Sequence, residues 1–505
     1  MCLISIVTLL GGCTTLGPDY EVPDAPMSAQ WIDIDAPRIG NESADYSQWW
    51  TVFEDPVLDS LVAQAYQQNL SLRIAGLRIL EARATLGIAQ GRQFPQSQQI
   101  NGGAAAVSLS DNEAGSLIDR SFNTAEASFD VGWELDFWGR FQRAIESADA
   151  QLDASVADYD DVMVSLAAEV ARVYVLIRVF EERLTLTQGT VETQQDALRI
   201  ATVKFENGAV TELDVQQARA VLANTQSAIP VLETGLRKST NTLAVLMGLP
   251  PQSLDDLLAG DARTPTAPPD VSMGVPAELL RRRPDVRRAE RLLAAQSAQI
   301  GVAVTDLYPR FSLVGSVGFR TTDSSLGRFN ADNSLSDLFD SENSVSFLGP
   351  FFSWNVLNYG RIKNNIRVQD ARFQQLLVGY QSSVLSALSE TENAIVAYLK
   401  SHDQAEYLGE SVAAAQRSVD LSLLQYREGK IEFNRVIDAL NFLFRQQDSL
   451  ASTTGDIATN LIAMYKSLGG GYEAEVERDT SDYIAVDDKD QMRTRTRYWR
   501  KELPE

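Results

Sequence analysis

The chain is predicted to be mainly α with a membrane β-barrel portion, built from two copies of a long helical hairpin with four strands divided between them. Three observations carry that reading. Apolar residues recur in heptad steps over stretches far longer than an ordinary globular helix. The chain resembles itself at a fixed offset, with Gly208 and Gly429 standing 221 residues apart. Two short segments abandon the helical rhythm for a period of two, the mark of half-buried strands.

In chain order, the opening MCLISIVTLLGGCTT is a short apolar run that ends in Leu10-Gly11-Gly12-Cys13. Small residues before a cysteine, after an apolar stretch, are the lipoprotein form of a bacterial signal peptide. Residues 1–12 are therefore read as the signal and Cys13 as the acylated first residue of the mature chain. The usual positive n-region is missing, which leaves the translation start open. Cleavage there removes Cys2 and leaves one cysteine, so no disulfide forms. Thr14 stands where an aspartate would signal retention at the inner membrane.

Residues 13–95 form an N-terminal segment and the helix of the first repeat, and 96–138 hold its strands. There Ala125, Ala127, Phe129, Val131, Trp133 and Leu135 alternate with Glu126, Ser128, Asp130, Gly132 and Glu134. Residues 139–250 form the first hairpin. Its outward arm carries Leu152, Val156, Tyr159, Met163, Leu166, Val170, Val173 and Ile177, in steps of four and three. A helix from Arg140 to Phe205 is about 100 Å long at ~1.5 Å per residue. Asn207-Gly208 supplies the left-handed backbone that ends it, and Thr211 with Asp214 resembles an N-terminal cap of the S/T-x-x-E type. The return arm resumes at Val215, Ala218 and Leu222.

The second copy follows. Residues 251–309 are a linker and helix, 310–357 two more strands with Phe311, Leu313, Val317 and Phe319 in alternation, and 358–471 the second hairpin. The 221-residue offset sets WELDFWGR at Trp133 on WNVLNYGR at Trp354, and Val215 on Val436. Upstream the offset becomes 214, aligning Phe94-Pro95 with Tyr308-Pro309. A repeat of this kind dictates the architecture. The remainder, 472–505, is charged and without sustained period, and reads as a mobile tail.

No stretch reaches the ~18 apolar residues of a membrane helix. Alternating strands cross a bilayer only inside a closed barrel, because an open edge leaves backbone groups unpaired in lipid. Outer-membrane barrels need at least about eight strands. Four cannot close, so the chain must oligomerise.

Catalysis finds few parts. The one histidine, His402, lies on a heptad-patterned helix, and a single mature cysteine excludes a Cys/His metal set. Gly469-Gly470-Gly471 follows a helix and marks a stop rather than a phosphate loop. Asp160-Asp161 and Asp255-Asp256 are solvated faces or turns. The reading is of a protein that is not an enzyme, with no cofactor and no metal. A net charge of −24 speaks against a nucleic-acid partner and suggests a cation-favouring lining for a water-filled conduit. Seven methionines and one histidine are too few for a soft-metal relay.

The order of these pieces resembles the TolC-like outer-membrane factors, in particular the lipoprotein (NodT-type) channels of resistance-nodulation-division efflux pumps. The resemblance runs from CTTLGPDYEVP at Cys13 through WWTVFEDPVLDSLVAQAYQQNLSLRIA at Trp49, WELDFWGR at Trp133 and NGAVTELDVQQA at Asn207. It continues in LLRRRPDVRRAERLLAAQSAQIGVAVTDLYPRFSL at Leu279, LNYGR at Leu357 and SLGGGY at Ser467. The Leu279 segment is the most specific; its RRRPDV arginines could suggest an anion site, but the resemblance puts them in a mixed mid-section around the tunnel, which favours structural ion pairing.

The resemblance implies a homotrimer in the outer membrane of a Gram-negative bacterium, lipid-anchored and extending into the periplasm. Its barrel would be twelve-stranded, four strands from each of three chains, above a trimeric α-barrel made from the hairpins. The partners implied are a periplasmic adaptor protein, an inner-membrane transporter and outer-membrane lipid. It makes the turns at Gly208 and Gly429 the periplasmic tip, the adaptor-docking surface and the gate. Family members carry constricting aspartates just after the second turn. Asp438 matches one such position, Arg435 departs from another, and Asp214 is the first copy's equivalent of Arg435. Arg435 and Asp438, three apart on one helix, can pair within a chain or bridge to a neighbouring hairpin. Two alternatives stay open: the duct of a type I protein-secretion system, and a coiled-coil envelope lipoprotein with no pore. The exported substrate is set by the transporter and is not legible in this chain.

Metabolic labelling with a fatty acid is expected to mark the wild type and spare Cys13→Ser, which should still reach the outer membrane through its strands. Equal labelling of both removes the anchor.

Overall fold

The computed structural model describes residues 15–28, 30–40, 45–110, 121–251, 254, 257–259, 263–273, 282–323, 335–473, 479–499 and 503. The signal segment and Cys13 lie outside the described residues. In chain order the elements are β1 (Ile39–Gly40), α1 (Pro56–Gln68), α2 (Leu70–Gly91), β2 (Ser97–Ser108), β3 (Ser121–Leu135), α3 (Arg140–Glu206) and α4 (Glu212–Leu246). They continue as β4 (Val271–Ser272), α5 (Pro284–Thr305), β5 (Arg310–Thr322), β6 (Ser344–Ser353), α6 (Arg361–Arg427), α7 (Phe433–Ser467) and α8 (Val486–Arg495).

The duplication is kept residue for residue. Helices α3 and α6 are each 67 residues long, α4 and α7 each 35, and all four boundaries differ by the same 221. Their C-terminal ends are alike as well. The amide of Gly208 donates to Phe205 O and that of Ala209 to Lys204 O; Gly429 and Lys430 repeat this on Tyr426 O and Gln425 O. This is the Schellman closure, which consumes carbonyls the helix end leaves orphaned. Gly208 and Gly429 have φ of +73° and +76°, and nothing stands near a would-be Cβ at either. Backbone conformation alone demands glycine there.

The chain divides into two compact units. The first comprises Met1–Pro23, Glu81–Ala154 and Glu290–Val378. It holds an antiparallel sheet in the order β2-β3-β5-β6. The register aligns Ile100, Phe129 and Val317 on one face, and Asn101, Ser128 and Gly318 on the other. Each pair of strands is fastened in the same way. The indole N–H of Trp133 donates to Gln93 O, and that of Trp354 to Leu307 O. The two carbonyls are equivalent at the 214-residue offset. Below the sheet, Ala150, Ala294 and Ala295 pack with Tyr20, whose hydroxyl donates to Glu290 Oε1 at 2.7 Å.

The second unit comprises Asp24–Leu80, Ser155–Ala289 and Gly379–Glu505. Its main core joins Leu58, Leu61 and Val62 of α1 to the α3 seam at Val170, Val173 and Ile177, with Leu243 and Leu461 from the return arms. A second cluster fills the hairpin turns. A two-residue parallel bridge between β1 and β4 has no counterpart in the sequence reading.

The charged tail departs from the expectation of a mobile segment. Residues 486–495 form α8, and Ile484, Met492 and Leu503 bury together against Leu80 of α2. Asp488 accepts two hydrogen bonds from the Arg73 guanidinium, at 2.9 and 2.7 Å. Gly76 lets Tyr483 O approach to where a Cβ would lie only 2.1 Å away. The three apolar anchors are spaced too unevenly to give a period, which hid them among the charges.

Leu80→Ala is expected to cost about 2–3 kcal/mol and to expose the tail to trypsin, whereas Arg73→Ala should cost no more than about 1 kcal/mol. Urea midpoints and limited proteolysis separate the two. Equal, unchanged proteolysis in both would mean that the apolar cluster does not hold the tail.

Candidate functional site at the hairpin turns

Four helix ends meet at the turns: the last residues of α3 and α6 and the first of α4 and α7. Their apolar faces close on Ala201, Val215, Val419, Phe433 and Val436, all buried. The Phe433 ring packs against that of Tyr426 at a tilt of 52°, with centres 5.0 Å apart. These contacts hold the two hairpins to each other as one packed tip.

Within it lies a polar link across the duplication. The Tyr426 hydroxyl donates to Asp214 Oδ2 at 3.1 Å. Burial, then the Asp214 charge, push the Tyr426 pKa well above its ordinary value, so the phenol stays a protonated donor. Lys204 Nζ sits 4.7 Å from the Tyr426 ring centre and donates to Tyr426 O at 2.6 Å. A cation on the ring face and a carboxylate on the hydroxyl thus clamp one buried tyrosine from two sides. Sequence reading missed Tyr426 and Lys204. The one available signal was that the first copy carries Phe205 where the second carries Tyr426.

The expected cap at Thr211 is corrected. Thr211 has extended backbone but makes no side-chain cap bond; the Asp214 N–H donates to the Thr211 backbone carbonyl at 3.2 Å instead, and the Asp214 carboxylate is turned to Tyr426. Arg435 and Asp438 both lie exposed on the outer face of α7. Among the described residues neither has an ion-pair partner. The structure brings Asp214 into the packed tip with Gly208 and Gly429 at its ends, and leaves Arg435 and Asp438 on its surface.

Away from the turns, the RRRPDV arginine Arg283 serves a structural ion-pair network. It bonds Asp285, Glu390 and Ser467 O at 2.8–3.0 Å. His402 stands edge-on to Tyr398 at 4.7 Å, and burial, then Arg38, lower its pKa. Among the described residues no group of His, Cys, Asp and Glu is arranged to hold a metal, and no helix is long and apolar enough to cross a membrane.

The profile of the outer membrane efflux proteins matches residues 61–249 and 275–470, one stretch for each copy of the repeat. The chain belongs to this family. Among individual proteins it is similar to nodulation protein T of Rhizobium leguminosarum bv. trifolii, with 31% identity over 92% of this chain and 96% of the relative. Similarity to the pyoverdine export outer membrane protein OpmQ of Pseudomonas aeruginosa is 30%, over 94% and 97% of the two chains. The solved outer-membrane channel OprN superposes with a TM-score of 0.84 at 32% identity, covering 91% of this chain and 99% of that one.

An outer membrane efflux protein of the NodT type therefore accounts for the duplicated hairpins and for the four-stranded sheet alike. It places the chain in the outer membrane, in a family whose solved relatives include outer-membrane channels. The sheet is what a coiled-coil rod would leave without a use.

Tyr426→Phe removes the hydroxyl and leaves the half-buried Asp214 carboxylate short of one donor, at an expected cost of about 1 kcal/mol. Faster hydrogen exchange should appear at the turns around Gly208 and Gly429 and leave the main core unaffected. Unchanged exchange at the turns would show that the link does not fasten the tip.

Proposed function

We propose that this outer membrane efflux protein is a homotrimeric exit duct of a tripartite pump, coupled to a periplasmic adaptor and an inner-membrane transporter and anchored in addition by an acyl chain on Cys13. One observation carries the reading. Strands β2 and β6 each pair on one side only, in a sheet with an apolar face. A sheet of this kind cannot rest in hydrocarbon with open edges, and three copies in sequence supply enough strands to close.

The hairpin turns are the gate and the adaptor's docking surface in this reading. Tyr426 and Asp214 hold the two hairpins of one chain together. Arg435 and Asp438, exposed and without an ion-pair partner among the described residues, are placed to meet carboxylates and guanidinium groups of neighbouring copies. A ring of three Asp438 carboxylates repels itself, and Arg435 offsets that repulsion. An adaptor that splays the hairpins breaks these contacts and opens the duct. OpmQ of Pseudomonas aeruginosa is a pyoverdine export protein; in this reading the cargo here is chosen by the transporter.

Native mass measurement in detergent should give three chains, and planar-bilayer recordings a conducting trimer. Arg435→Ala and Asp438→Ala should lengthen openings and alter block by cations. A monomer that conducts would sink the trimer, and unaltered gating in both variants would leave the turns as docking tips only.

A further inference from the structure

The sheet carries one feature that neither the duplication nor the gate requires. Along the hydrogen-bonding direction, Asp130 of β3 pairs with Ser316 of β5, which pairs with Phe347 of β6. Four residues on, Glu134 pairs with Ser312, which pairs with Phe351. Side chains of paired residues share a face, so both phenyl groups lie on the polar side of the sheet, with Asn101, Glu126 and Arg320. Strand β6 is therefore apolar on both faces, unlike β3, which is apolar on one.

The rings are open to solvent, Phe347 at 59% and Phe351 at 62% exposure, and Val314 and Val345 extend the patch. Between them Gly349 leaves room: a Cβ there would lie 3.3 Å from Phe347 Cζ. The Phe347 ring is thus laid along the strand and turns a face outward. The acids beside it differ in compensation. Glu126 is bridged to Arg320 at 3.0 Å, and Glu134 lies 3.8 Å from Arg140. Asp130 accepts from Asn101 and Ser128 and has no cationic partner among the described residues.

We propose that this face is a transit site for amphipathic organic cations. The inference rests on the trimeric channel reading, in which the polar face lines the lumen. Asp130, the acid without a cationic partner among the described residues, takes the positive charge, and Phe347 and Phe351 take the apolar or aromatic body. The two halves are two strand spacings apart, about 10 Å, a span a cation with one or two rings bridges. An aromatic face also attracts the cation itself. Closing three copies alternates acidic and phenyl stripes around the lumen, so every phenyl stripe has an acidic stripe on either side.

Trimers of the full chain in a planar bilayer test this with three probes added at the loop side. Tetraphenylphosphonium carries charge and rings, tetraethylammonium charge alone, and benzenesulfonate a ring with the opposite charge. Tetraphenylphosphonium should block at about tenfold lower concentration than tetraethylammonium, and benzenesulfonate should not block. The Phe347→Ser/Phe351→Ser double variant should lose that tenfold preference while keeping trimer mass, and Asp130→Asn should weaken block by both cations. Unchanged preference in the double variant overturns the site. So does loss of the trimer in that variant, since the rings would then be packing a seam between copies. A wild type that forms neither trimer nor pore refutes the channel reading itself, and the transit site falls with it.

Discussion

A backbone amide or carbonyl left unpaired in hydrocarbon costs several kcal/mol, and the outer edges of β2 and β6 present a row of each. That constraint organises the molecule. It forbids the sheet from entering a membrane alone, and in the proposed trimer the two open edges are where strands of neighbouring copies join. It also accounts for the use of duplication. One repeat contributes two strands, the second copy doubles them, and the matched indole bonds of Trp133 and Trp354 seat both pairs on their helices alike.

The hairpins obey a different rule. A helix of 67 residues has no stability of its own to match its length, so its seam has to be covered along the way. The main core does this with α1 and the return arms, and the second cluster does it again at the turns. Four Schellman closures, at Gly208, Gly248, Gly429 and Gly469, end the four long helices in the same manner. Backbone geometry has been conserved between the copies while side-chain roles have diverged. Phe205 is exposed where Tyr426 is buried, and Asp214 receives a hydrogen bond where its counterpart Arg435 faces outward. The joint between hairpins depends on that divergence, because a hydrogen bond needs a donor on one copy and an acceptor on the other.

The sheet shows a comparable split between pattern and use. On β3 the alternation of apolar and polar residues separates two faces cleanly. On β6 the run Phe347-Leu348-Gly349-Pro350-Phe351-Phe352 is apolar throughout. Its facing is decided by register against β5, where Phe347 meets Ser316 and Phe352 meets Phe311. An uninterrupted apolar strand is what period alone cannot orient.

By itself the sequence determined whatever repeats: the heptad seams, the glycine turns and the alternating strands locally, and the duplication at its fixed offset; the strand count added the expectation of partners. Periodicity is a property of neighbours a few residues apart, so it survives without any knowledge of the fold. Tertiary structure decided the pairings across distance. The Tyr426–Asp214 bond spans 212 positions, and the tail's Asp488 finds Arg73 across 415. It also decided that the Asp214 carboxylate turns to Tyr426 rather than back to the helix start at Thr211. Burial made each of these choices, because a polar group withdrawn from water must find its partner wherever the fold brings one.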